Sequence, residues 1–223
     1  MPSRRSFFRS SVGSKYLIAA TGLCLVGFLI LHLIGNILVF ISADTFNEYG
    51  EKLIRNPLLI PAELGLAALF LLHAAKSLSL VLGARDARPL RYSLKKRAGH
   101  TSRKSWASTT MILSGLFLLL FVPFHLKTFK YGSHYESAEP GVRDLWRTVA
   151  EVFSRPGYVV FYVAGMAIIG FHLWHGVSSS LQSLGIDRLG WSPALRRIGW
   201  TVAVVLAVGF LSIPLYIYFV GAR

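Results

Sequence analysis

Five stretches of this chain are long and apolar enough to cross a lipid bilayer: 16–41, 58–83, 107–129, 157–183 and 199–220. A membrane helix needs about 20 mostly apolar residues. Within lipid the backbone must satisfy its own hydrogen bonds, so such runs read as helices. Only 15% of the 223 residues are charged, where a soluble domain carries about a quarter. The expected fold is a single all-α integral membrane domain over 1–223, with five transmembrane helices. The first run follows the basic segment "MPSRRSFFRSSVGSKY", as a signal peptide would. It is about twice the length of a signal-peptide core, and no small-residue cleavage site follows it. It is read as a retained helix.

The segments between the runs are short and polar. In "KYGSHYESAEPGVRDLWRTVAEVFSRP", Leu145, Val149, Val152 and Phe153 recur at helical spacing. They predict an amphipathic surface helix capped by Asp144. The N-terminal tail and the segments after runs two and four together hold fifteen basic residues and two acids. The opposite side holds eight of each. Positive residues favour the cytoplasm, so the N-terminus is expected inside and the C-terminus outside. The net charge of +14 then belongs to basic loops, and no nucleic-acid partner is implied. The longest basic loop, "ARDARPLRYSLKKRAGHTSRKSW", serves as a topology signal, with a docking face for a cytoplasmic partner as the sharper alternative. The single cysteine, Cys24, can form no internal disulfide and is expected to pack as a small hydrophobe.

Each of the first four runs contains one histidine at membrane depth: His32, His73, His125 and His172. Ionisable side chains in a membrane are costly and tend to mark function. Runs one and three point outward and runs two and four inward. This places His32 and His125 at an outer level and His73 and His172 at an inner one, roughly 10 Å apart along the normal. His100 and His134 fall in loops.

An internal repeat supports the pairing. In "TGLCLVGFLILHL" (21–33) and "SGLFLLLFVPFHL" (114–126), eight residues separate Gly-Leu from His-Leu. In "NPLLIPAELGLAALFLLH" (56–73) and "RPGYVVFYVAGMAIIGFH" (155–172), a proline stands sixteen residues before the histidine. Two helix pairs of like orientation imply a pseudo-twofold axis along the membrane normal, across which equivalent residues face each other. A planar group on that axis would be gripped from both sides. Haem b is such a group, since its iron takes one imidazole above and one below. Helix bundles house such cofactors between facing helices. Two haems b per chain follow, held by the first four helices. Zinc fits less well, because it wants four ligands and each level offers two. For a lone histidine the alternative is an interhelical hydrogen bond.

His175 stands one turn beyond His172, and Lys76 three residues beyond His73. Each is a candidate contact for a haem propionate or a quinone. His175 could instead be a polar residue at the headgroup level, and Lys76 could snorkel. Asn36, one turn beyond His32, and the acids Glu48, Glu51 and Glu63 are weaker quinone-site candidates. Helix packing accounts for Asn36 equally well, and loop solvation is the favoured account of the three acids.

The motifs "LHLIGN" (31–36), "LLHAAKS" (71–77), "PFHLKTF" (123–129) and "FHLWHG" (171–176), with "ADTFNEYG" and "ARDARPLRYSLKKR", resemble the cytochrome b membrane subunit of succinate:quinone oxidoreductases and fumarate reductases. Within that family the resemblance is to the single-chain, five-helix, di-haem type, over about 10–220. It implies a subunit of succinate dehydrogenase in a bacterial cytoplasmic membrane. The subunit would anchor an iron–sulfur subunit and a flavoprotein subunit on the cytoplasmic side. It would pass electrons to a quinone, often menaquinone in di-haem relatives. No dicarboxylate or flavin motif occurs in this chain, so that chemistry would lie in the partners. Two rivals remain: the di-haem cytochrome of a formate dehydrogenase or hydrogenase, and a transporter with a histidine relay.

Overall fold

The computed structural model describes residues 10–86, 106–186 and 192–221. Seven α-helices account for most of them: α1 (Ser11–Ile37), α2 (Ala43–Ile54), α3 (Leu59–Asp86), α4 (Trp106–His125), α5 (Leu145–Phe153), α6 (Pro156–Ser183) and α7 (Ser192–Tyr216). The segments Ser11–Phe40, Leu59–Gly83, Thr110–Lys130, Pro156–Ser183 and Pro193–Gly221 are long and apolar enough to span a membrane. These are the five runs read from the sequence, with two starts moved by five or more residues. The first helix starts five residues early, where the Ser10 hydroxyl accepts a bond from the Gly13 N–H at 3.0 Å. The last starts earlier because Pro193 suits a helix's first turn and the arginines behind it continue the helix past the apolar boundary. The basic segment 87–105, most of the N-terminal basic tail and His100 lie outside the described residues.

α6 is the central helix. It packs against α7, α1 and α4, while α3 lies mainly on α1. One third of α6's apolar window is buried, against none of α3's. The α6–α7 contact depends on small residues, which let membrane helices approach closely. A β-carbon on Gly170 would stand 3.0 Å from that of Ala207, and one on Gly199 would stand 3.1 Å from the Ser178 backbone. The fifth spanning helix therefore belongs to the packed bundle, with Leu206 and Ile217 among its most buried side chains. Cys24 is exposed on the outside of α1. That corrects its expected burial: an apolar run in a membrane helix fixes depth, not facing.

Two short helices cover the end of the bundle where α1 stops and α6 begins. α5 is the amphipathic helix expected from its spacing, and Asp144 caps it by accepting from the Arg147 N–H at 2.9 Å. α2 was read only as a polar connection. Its cap is nonetheless present in the sequence, since the Ser42 hydroxyl accepts from the Thr45 N–H at 3.1 Å. Asn47, 5% exposed, joins the two helices. Its amide donates to the Asp144 carboxylate at 3.0 Å and accepts from the Trp146 N–H at 2.8 Å.

The end of α4 is held from outside. Beyond His125 the helix widens into a π turn, Leu126–Lys130. The Arg143 guanidinium donates to the Phe129, Lys130 and Ser133 carbonyls at 2.9, 3.3 and 3.2 Å. Partial burial pulls its pKa below the ordinary arginine value. The planar guanidinium spreads five N–H donors over a rigid fork, whereas an ammonium concentrates three on one atom and cannot span the same carbonyls. Arg143→Lys is therefore expected to cost about 1–2 kcal/mol, read as a lower thermal midpoint of the purified protein. An unchanged midpoint would remove this role.

Candidate functional site

The two levels of histidines differ in how their rings are held. At the outer level α1 and α4 bring His32 and His125 together, with ring centroids 5.9 Å apart and planes at 89°. Phe28 stacks on His32 at 5.3 Å and Phe121 on His125 at 5.9 Å. Phe210 of α7 lies 5.6 Å from His32. Phe129 and Tyr162 close the far side of His125 at 5.3 and 6.1 Å. The site is thus walled by aromatic rings from four of the five spanning helices. Nδ1 of His125 is buried without a hydrogen-bond partner among the described residues.

At the inner level His73 of α3 meets α1, and His172 of α6 meets α4. His73 Nδ1 lies 3.2 Å from the Thr21 hydroxyl and 3.1 Å from the Ile18 carbonyl. His172 Nδ1 lies 3.0 Å from the Ser114 hydroxyl. The next residue is a glycine in both cases. A β-carbon on Gly22 would stand 3.1 Å from His73 Cε1, and one on Gly115 would stand 3.7 Å from His172 Cε1. Thr21-Gly22 and Ser114-Gly115 open the two copies of the repeat quoted above.

Along α1, Thr21 and His32 are eleven residues apart, about 16 Å of helix rise.

The other candidates are placed as follows. His175 is half-buried one turn beyond His172, and Lys76 is half-buried beyond His73. Asn36 is engaged locally. Its amide donates to the His32 carbonyl at 2.8 Å and lies 3.3 Å from His32 Nδ1. Glu48 is exposed and pairs with Lys52 at 2.7 Å, which holds its carboxyl below the usual range. Glu51 pairs with Arg55 at 2.6 Å. Glu63 pairs with Lys130, tying α3 to the end of α4. His134 is exposed, as its loop position implied.

Two clefts lie at this end. One, of about 200 Å³, is lined by Lys127, Glu151 and Arg155 among others. The other, of about 180 Å³, is lined by Glu51, His134, Glu136 and Arg143 among others. Both fall short of the roughly 300–1,000 Å³ typical of small-molecule pockets.

The donor set suits an iron held by two axial imidazoles. Among the described residues, no three His, Cys, Asp or Glu side chains converge as a metal-binding group, so the tetrahedral environment zinc prefers is not assembled there. Sequence reasoning missed Thr21, Ser114, Gly22 and Gly115, although the repeat displays all four. It also missed Phe210, since the last helix carries no histidine.

Taken together, the five spanning helices define a multi-pass helical membrane protein, and its histidine rings gather at two places in the bundle. The chain is 24% identical over 216 residues, 96% of its own length and 96% of the relative's, to the succinate dehydrogenase cytochrome b558 subunit of Bacillus subtilis (strain 168). No protein-family profile and no solved structure matches it.

Proposed function

We propose that this chain is the membrane anchor and di-haem b electron-transfer subunit of a succinate:quinone oxidoreductase. One observation carries the reading: the first four spanning helices each carry one histidine at membrane depth, the His32 and His125 rings approach to 5.9 Å, and His73 and His172 each meet a hydroxyl that opens a copy of the repeat. The full-length likeness to a succinate dehydrogenase cytochrome b subunit supports the anchor role and favours succinate over formate or hydrogen as the source of electrons. A proton-relay transporter has no need of imidazoles in facing pairs.

Haem b, when bound, supplies an iron that accepts and gives up one electron at a time. His32 and His125 would hold the outer haem, and His73 and His172 the inner one. The aromatic wall of Phe28, Phe121, Phe129 and Phe210 keeps water from the outer imidazoles. The Thr21 and Ser114 hydroxyls orient the inner ones. His175 and Lys76, one turn from the inner ligands, are placed to meet propionates or a quinone. Asn36, Glu48 and Glu51 stay the weaker quinone candidates, because each is already paired within its own helix. The proposed quinone is menaquinone, and the proposed setting a bacterial cytoplasmic membrane with the N-terminus inside. The iron–sulfur and flavoprotein subunits would dock on the basic cytoplasmic face.

The test is to isolate the complex from membranes and add succinate. Succinate should reduce b-type haem in a preparation that also contains flavin, and a menaquinone analogue should reoxidise it. Reduction by formate or hydrogen with no response to succinate would transfer the chain to the rival class of di-haem cytochromes.

A further inference from the structure

The two inner histidines share a feature that ligation alone does not require. Each Nδ1 is met by a hydroxyl from the first residue of a repeat copy, and that hydroxyl already has a use for its proton. Thr21 Oγ1 donates to the Leu17 carbonyl at 2.7 Å, with the Ile18 carbonyl at 3.2 Å. Ser114 Oγ has the Thr110 and Met111 carbonyls at 3.1 Å each. A hydroxyl has one proton and two lone pairs. With the proton turned back along the helix, a lone pair faces the imidazole, so Nδ1–H must donate. At His73 the Ile18 carbonyl, which can only accept, demands the same tautomer. Nε2 then keeps its lone pair for a metal. Back-bonding would satisfy either hydroxyl by itself. That explanation accounts for neither the aim at histidine in both copies nor the glycine beside each hydroxyl that leaves room for the ring. The outer level has no such pair of hydroxyls, and the Asn36 amide that lies 3.3 Å from His32 Nδ1 is not repeated. Asn36 corresponds in the repeat to Phe129, and His125 Nδ1 has no partner among the described residues.

We propose that Thr21 and Ser114 are positioning residues that fix the inner imidazoles as Nδ1–H tautomers and, by accepting that proton, raise their donor strength toward iron. The proposal rests on the di-haem reading above. A hydrogen-bonded Nδ1–H makes imidazole a more basic ligand, and a more basic axial ligand favours ferric iron. Removing the acceptor should therefore move the inner haem's potential upward. Ser114→Ala should move it more than Thr21→Val, because His73 keeps the Ile18 carbonyl while no second acceptor is seen at His172 Nδ1.

The experiment is a redox titration of the purified complex, followed optically, for Thr21→Val, Ser114→Ala, the double variant and the conservative exchanges Thr21→Ser and Ser114→Thr. One b component should shift positive in Thr21→Val, more in Ser114→Ala and most in the double variant. The other component lies about 16 Å of helix rise away and should stay in place, and the conservative exchanges should titrate as wild type. Loss of the inner haem in Thr21→Val or Ser114→Ala but not in the matching conservative exchange would support the same role through cofactor retention. Equal behaviour of Thr21→Val and Thr21→Ser, equal movement of both components, or a negative shift would overturn the inference. A wild-type complex without two b components would instead overturn the di-haem reading itself.

Discussion

His172→Ala should leave one haem b per chain where the unaltered protein is proposed to hold two, and His125→Ala should remove the other. Each proposed site has only two imidazoles, so losing one leaves a single axial ligand facing a cavity in apolar surroundings. Because the proposed pairs are His73 with His172 and His32 with His125, whose rings approach to 5.9 Å, the four alanine variants should sort into two classes. His73→Ala and His172→Ala should abolish one potential component, and His32→Ala and His125→Ala the other. Haem content by pyridine haemochrome should fall by about half in every case, since two equivalent pairs bind one group each. His175→Ala should keep both haems and shift one potential. If His32→Ala and His73→Ala erased the same component, the two-level arrangement would be wrong.

Asn47→Ala should produce the largest loss of stability away from the histidines. Asn47 is almost fully buried and spends both ends of its amide between α2 and α5. Truncation leaves the Trp146 N–H without its acceptor and the Asp144 carboxylate with one donor fewer. A buried polar group stripped of its partner costs about 1–3 kcal/mol. For a chain of this size 1 kcal/mol corresponds to about 2–4 °C in thermal midpoint, so a drop of roughly 5 °C is expected. Differential scanning of the purified protein would measure it. A midpoint within a degree or so of wild type would mean that α2 and α5 are not held together through this residue.

The spanning helices were legible because lipid imposes one strong rule on composition and length. The approach of His32 to His125 was legible because direction alternates from span to span. The helix pairs that hold each ring were not, since the Thr21–His73 bond joins residues 52 apart and no local pattern records it. The repeat did contain Thr21-Gly22 and Ser114-Gly115, but only the Gly-to-His spacing was read from it. α2 escaped because a short polar helix has no long apolar stripe, although Ser42 and Asp44 signal its start. The facing of Cys24 and the packing of α7 were hidden for a common reason: in an apolar helix, lipid-facing and protein-facing residues look alike.

The central claim is that the paired imidazoles of this chain bind two haems b. The direct measurement is haem per polypeptide in the purified complex, taken with a reductive titration of the same sample. Two haems b per chain with two resolvable potentials is the predicted result. A colourless preparation, or a single haem with one potential, would contradict it.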